Sequence, residues 1–333
     1  MRKLFISIIA CIAGAFSANA IEDNTVEIVF NGTSASVTIA NNIKSFVTDQ
    51  SNGSSHVKLI QSESFAGVNP TTDNEDGEII YVLSGSTTDG EFLMEGAFKC
   101  TIELNNVSIT NPSGPAINIQ DGKRVSVSIK KGTTNNLTDG ANKDYNGAFH
   151  CKGHTKFKGK GTLNVVGNSK HGIYSKEYLE IKNCNINITK AAKDGIHCKE
   201  YFLLESGKVA ISGTGDDGIQ VELSGTTSTG VTTGHEEEDT GNFYMSDGTL
   251  TISNYEGKAI VADGTITYSG GTQNFDTEDT KILAGIEEAV APKTSQIRNG
   301  IYDLQGRKLS AIPQHKCIYI IVENGVAKKV ILK

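Results

Sequence analysis

An all-β fold, a right-handed single-stranded parallel β-helix, is the architecture expected of this chain on three grounds. One pattern recurs at a fixed period: Ala148-Phe149-His150-Cys151-Lys152, Gly172-Ile173-Tyr174-Ser175-Lys176, Gly195-Ile196-His197-Cys198-Lys199 and Gly218-Ile219-Gln220-Val221-Glu222, their first residues 24, 23 and 23 apart. A constant period in this range marks a stack of equal structural units. Each copy is followed by two further alternating runs, such as Leu179/Ile181 then Ile186/Ile188, and Phe202/Leu204 then Val209/Ile211. Side chains point to opposite faces in turn along a strand, so these runs read as short half-buried strands. No leucine-rich signature is present, and no stretch has the spacing of an amphipathic helix. Three strands per turn, with each turn hydrogen-bonded to the next ~4.8 Å away, give a β-helix.

Taken in order, residues 1–20 read as a secretory signal peptide. Arg2-Lys3 is the charged start, residues 4–16 are apolar, and Ala18-Asn19-Ala20 is an A-x-A cleavage site. The rival reading, a lipoprotein signal at Cys11, is disfavoured because the apolar run continues past it. No other stretch is long and apolar enough to span a membrane, so the mature chain is expected to be secreted or held at the cell surface. Cleavage removes Arg2 and Lys3 and no acidic residue, moving the formal charge from −7 to −9. That balance argues against a nucleic-acid partner.

Residues 21–95 hold strand-like runs at 26–30, 35–39, 56–60 and 79–83, with a polar loop at 69–77, but no clean period. They are expected to form an N-terminal cap and first irregular coils, because the end of a strand stack must be covered. Residues 96–276 are the helix proper. Ala116-Ile117-Asn118-Ile119-Gln120 matches the repeat 32 residues before Ala148, and the surplus is assigned to a loop at 133–145. A second insertion follows Glu222 to about residue 242, and Ala259-Ile260-Val261-Ala262-Asp263 is the last copy. Residues 277–298 read as a linker, and 299–333 as a short β segment with Gly turns. Cys100, Cys151, Cys184, Cys198 and Cys317 are odd in number and widely spread, so they do not form a disulfide framework. Cys151 and Cys198 share an inward position, where buried free thiols are expected.

Two parts resemble known families. Tyr81-Val82-Leu83-Ser84-Gly85, Leu104-Asn105-Asn106-Val107-Ser108-Ile109-Thr110-Asn111, Gly114-Pro115-Ala116-Ile117-Asn118-Ile119-Gln120, Thr162-Leu163-Asn164-Val165 and Lys193-Asp194-Gly195-Ile196 carry the first resemblance. Residues 78–271 resemble the exported bacterial carbohydrate-binding β-helix proteins of Bacteroidetes and some clostridia. The resemblance implies a pectate-lyase-like solenoid and an association with plant-type polysaccharide and calcium. Ile301-Tyr302-Asp303-Leu304-Gln305-Gly306-Arg307 and Cys317-Ile318-Tyr319-Ile320-Ile321 resemble the C-terminal sorting segment of Bacteroidetes secreted proteins. That family usually has Gly where this chain has Cys317.

If Phe149, Ile173, Ile196 and Ile219 point inward, the next residue of each copy points outward. The outward column is then Asn118, His150, Tyr174, His197 and Gln220, flanked by a second of Gln120, Lys152, Lys176, Lys199 and Glu222. Rings and amides beside three lysines in register would suit a polysaccharide, including an acidic one such as polygalacturonate. A polar ladder that merely solvates the exterior stays open as the alternative, although stacked like charges repel. Asp194, Asp216 and Asp217 precede the repeat glycines on adjacent coils and are the candidate ligands of a structural calcium, which takes hard oxygen donors. Asp before Gly is also ordinary turn chemistry.

No catalytic residue is assigned. A lyase needs a Lys or Arg base beside bound calcium; Lys176 or Lys199 near Asp194 and Asp217 could be so arranged, and nothing singles one out. Three functions follow: a non-catalytic polysaccharide binder, a calcium-dependent lyase on uronic-acid polymers, or a surface adhesin or scaffold.

Overall fold

The structure, a computed structural model, describes residues 21–62, 78–96, 98–225, 238–276, 283–284, 299–303, 307–312, 318–323 and 326–331. The expected signal peptide, the 69–77 loop and Cys317 lie outside them.

In the unit of residues 1–285, strand pairing follows the sequence period. Ile117–Gln120, Gly147–Cys151, His171–Ser175, Ile196–Lys199, Ile219–Glu222 and Ile260–Ala262 pair in parallel, each with the next. A second set runs Val125–Ile129, Thr155–Gly159, Leu179–Lys182, Tyr201–Leu204, Asn242–Met245 and Ile266–Tyr268. A third runs Thr134–Asp139, Thr162–Gly167, Asn185–Ala191, Lys208–Thr214, Thr249–Tyr255 and Thr272–Phe275. One strand from each set makes a rung. Cys100–Asn111 joins the second and third sets, its two halves pairing with Val125–Ile129 and Thr134–Asp139. Asn106 turns the corner between those halves at φ 57, a left-handed conformation that Asn tolerates better than most residues. The chain is thus all-β with large parallel sheets. Among the described residues, the helical content is the 3-10 turn Asn41–Ile43, and no helix is long and apolar enough to cross a membrane.

The core is a set of ladders. Ile117, Phe149, Ile173, Ile196, Ile219 and Ile260 are all fully buried in register. Phe149 packs on Phe157 with centroids 5.1 Å apart, and Phe202 stacks on Phe243 at 5.0 Å. Burying a side chain of this size is worth ~1.5–3 kcal/mol, so the repeated inward position is what holds rung to rung. Cys100, Cys151, Cys184 and Cys198 are buried and free, and burial pushes the Cys151 thiol up to about 12, which keeps it inert.

Thr25–Asn31 and Ser34–Ile39 form an antiparallel hairpin at the N-terminal end, and Thr25–Asn31 also pairs in parallel with Ile79–Thr87. The expected loop at 133–145 needs correction. Thr134–Asp139 is a regular strand of the third set, with Asn135, Leu137 and Asp139 inward and buried. Two of those inward residues are polar, which hides the strand from any hydrophobic pattern. Asn135 is satisfied inside, accepting from Val107 N and donating to the Thr162 carbonyl. The expected linker also contains a strand, since Leu283–Ala284 pairs with Val261–Ala262. In the unit of residues 286–333, Gly300–Tyr302, Lys308–Leu309, Ile318–Glu323 and Val326–Ile331 form a four-stranded antiparallel sheet.

Candidate functional site

Parallel pairing places the outward column as the repeat implies. His150 is in register with Asn118 and Tyr174, Tyr174 with His197, and His197 with Gln220. The rings stack on one another, His150 on Tyr174 at 5.2 Å and Tyr174 on His197 at 5.6 Å. Stacking along the column uses the ring faces, so a sugar meets ring edges there and not an open platform. Only 8% of His150 and 8% of His197 is exposed, whereas Tyr174 is half-buried. Burial, with Lys152 nearby, lowers the His150 pKa to about 4, and its Nδ1 is buried without a hydrogen-bond partner.

Lys152 and Lys176 are exposed at the ends of their strands and have no ion-pair partner among the described residues. Lys199 differs, lying 3.5 Å from Glu222 Oε2. Gln220 Nε2 donates to Oε1 of the same carboxylate at 3.1 Å. The second set of strands shows the contrasting solution. Lys156 meets Glu180 at 3.3 Å and Lys182 meets Glu205 at 2.6 Å, opposite charges on successive rungs.

At the start of the first-set strands, Asp194 is almost fully buried, at 1% exposure. Its Oδ2 accepts from His197 Nδ1 at 3.0 Å, and its Oδ1 accepts from the Asp217 backbone N–H at 3.2 Å. His171 Nδ1 lies 3.1 Å from the same Oδ2 but without the alignment of a hydrogen bond, which leaves that buried nitrogen unpartnered. Burial alone would raise the Asp194 pKa, but His171 and His197 outweigh it and hold the carboxyl well below the usual range. Burial in turn lowers the His171 pKa.

Asp216 and Asp217 complete the expected carboxylate group. Ligand oxygens of Asp194, Asp216 and Asp217 all lie within 4.8 Å of one another. Burial, followed by repulsion from Asp194 and Asp216, raises the Asp217 pKa to about 6. Gly257 runs against this group: a Cβ there would sit 2.4 Å from Asp217 Oδ1 and 2.8 Å from Asp216 Oδ1. Its missing side chain keeps the space beside both carboxylates open.

At the other end of the same strands is a cluster that the sequence reading missed. His154 Nδ1 lies 2.9 Å from Glu177 Oε2, and Nε2 lies 3.2 Å from Glu200 Oε2. Burial opposes charge on His154, yet the two carboxylates prevail and raise its pKa to about 9. Glu200 also accepts the Tyr178 N–H and sits at φ 62, a left-handed conformation that costs a residue of this kind. The available signal was the repeated triplet Lys176-Glu177-Tyr178 and Lys199-Glu200-Tyr201. His171 was likewise visible, one repeat before Asp194, but that column was read for carboxylates only.

Stacked rungs of parallel strands carrying polar ladders and a carboxylate corner define an all-β protein built on large parallel sheets. Residues 67–302 match the model of the carbohydrate-binding domain-containing protein family, and the chain belongs to that family. Among solved structures, a polysaccharide lyase-like protein from C. thermocellum, determined as a gadolinium derivative, matches with a TM-score of 0.52 and 19% identity. The match covers 76% of this chain and 98% of that one, and it is a likeness of fold. No curated protein matches the chain.

Proposed function

We propose that the chain is an exported, non-catalytic polysaccharide-binding protein that holds an acidic, plant-type glycan along the first-set strands, with calcium as a structural ion. The observation that carries this reading is the contrast between faces. Lys156 and Lys182 on the second-set strands each meet a glutamate one rung on, while Lys152 and Lys176 stand exposed, like-charged and without an ion pair among the described residues. Stacked like charges cost stability unless something anionic lies across them. The fold reading behind it is a right-handed parallel β-helix, because parallel crossovers are right-handed in nearly all cases.

Asp194, Asp216 and Asp217 fit a calcium ion. Three oxygen donors converge, Gly257 leaves room beside them, and the crowding that raises Asp217 is relieved by a divalent cation. Residues 1–20 supply export, and residues 299–333 are proposed as a sorting segment of the Bacteroidetes type.

Polygalacturonate binding tests the reading. Single Lys152→Gln, Lys176→Gln or Lys199→Gln changes should weaken binding only a few-fold, since exposed ion pairs are individually weak and salt-screened. The triple variant should lose about ten- to a hundred-fold at low salt with a melting temperature unchanged or slightly raised. Equal affinity of triple variant and parent removes this face as the binding surface. Release of unsaturated product, followed by absorbance, would favour a lyase instead. Asp216→Asn with Asp217→Asn should abolish any calcium-dependent rise in melting temperature.

A further inference from the structure

The carboxylate Asp194 belongs to a second donor set, and its chemistry is not that of calcium. One ligand atom each from His171, Asp194 and His197 lies within 4.8 Å of the other two, and all three residues are buried. Two imidazole nitrogens and one carboxylate oxygen suit zinc and its first-row neighbours, whereas calcium takes oxygen donors. A tetrahedral zinc with bonds of about 2.0–2.1 Å holds its ligand atoms ~3.3 Å apart. Here Asp194 Oδ2 is 3.0 Å from His197 Nδ1 and 3.1 Å from His171 Nδ1.

Two independent observations point to a ligand at this place. His171 is only 6% exposed, and its Nδ1 is aimed at the cluster with no hydrogen-bond partner. A buried polar atom left unmatched costs about 1–3 kcal/mol, and a metal bond removes that cost. The outer supports of a metal site are also in place. His197 directs its other nitrogen, Nε2, at Glu222 Oε2 3.4 Å away, and Asp194 Oδ1 is held by the Asp217 N–H at 3.2 Å. Ligating histidines ordinarily hand their second ring nitrogen to a carboxylate in this way.

We propose that His171, Asp194 and His197 bind one divalent transition-metal ion of the zinc type, with a fourth position left to water. The ion substitutes for the proton that His197 now shares with Asp194. This site does not rest on the glycan reading. It shares Asp194 with the proposed calcium group, so the two ions compete and the donors of each can be separated by substitution.

Zinc titrated into the metal-stripped mature chain, followed by calorimetry, should show one site per molecule. His171→Gln and His197→Gln should each weaken it at least tenfold, and Asp194→Asn should weaken both zinc and calcium. Asp216→Asn with Asp217→Asn should leave zinc affinity within a few-fold while removing calcium. Cobalt in the unaltered chain provides a readout independent of any variant's folding. Intense visible bands of a four-coordinate ion are expected. The weak spectrum of hydrated cobalt, absence of stoichiometric zinc binding, or zinc affinity that survives the His171→Gln/His197→Gln double change would each overturn the site. Glycan binding is measured separately in chelator, so its outcome stands apart from this one.

Discussion

Two histidine–carboxylate clusters sit at opposite ends of the same short strands, and they meet burial in opposite ways. His154 lies between two glutamates, and its pKa is raised to about 9. The negative charge already has its cation, provided by the protein itself. At the other end, two histidines share one aspartate, and the His171 pKa is lowered. There the anion is held by hydrogen bonds, and one imidazole nitrogen is left over. The ratio of rings to carboxylates decides which cluster supplies its own cation and which has an anion and a ring nitrogen to offer a guest ion.

The largest effect should come from removing the carboxylates around His154. Its pKa rises from an ordinary 6.5 to about 9 on folding, which corresponds to at most about 3 kcal/mol. Because the folded value is the higher one, this stability is complete below about pH 6.5 and is lost as pH climbs through about 9. Glu177→Gln with Glu200→Gln should cost about that much at pH 6 and erase the slope between pH 6.5 and 9 in denaturant titrations. A parent chain with no such slope would remove the distinction between the clusters.

A smaller loss, about 2 kcal/mol, is expected for Asp194→Asn, which gives up charge-assisted hydrogen bonds from His197 and the Asp217 N–H. The same titrations at pH 6.5 measure that loss. The smallest and sharpest contrast is His171→Phe in chelator. Deleting an unpartnered buried nitrogen should leave the melting temperature unchanged or slightly raised. In zinc, the same change should forfeit the ion's stabilisation. A large loss in chelator would mean that His171 is already well satisfied.

Much of this was legible in the sequence because the repeat converts spacing into position. Residues 23 apart fall side by side, so the His150-Tyr174-His197-Gln220 column and the gathering of Asp194, Asp216 and Asp217 could be read directly. Three features escaped. The Thr134–Asp139 strand buries Asn135 and Asp139, and a core position filled by a satisfied polar residue carries no hydrophobic signal. His154, Glu177 and Glu200 are also 23 apart and so fall side by side, but the column changes residue type from one rung to the next and lies outside the repeated five-residue motif. The stacking of His150, Tyr174 and His197 on one another depends on side-chain rotation, which spacing does not specify.

The constant offset of the pairing also bears on how the molecule assembles. Tyr174 meets His197 and His197 meets Gln220, each 23 residues along the chain. Each added rung therefore closes a loop of the same length, and the entropic toll does not grow as the stack lengthens. The even spacing fails twice in this column, where Asn118 meets His150, 32 residues on, and where Gln220 meets Val261, 41 residues on. Closing the longer of these loops costs about 0.5 kcal/mol more by the logarithmic rule. Growth from the N-terminal hairpin should slow slightly at the Asn118–His150 step, run evenly from His150 to Gln220 and slow most after it, making the last rungs the latest to form and the first to fray.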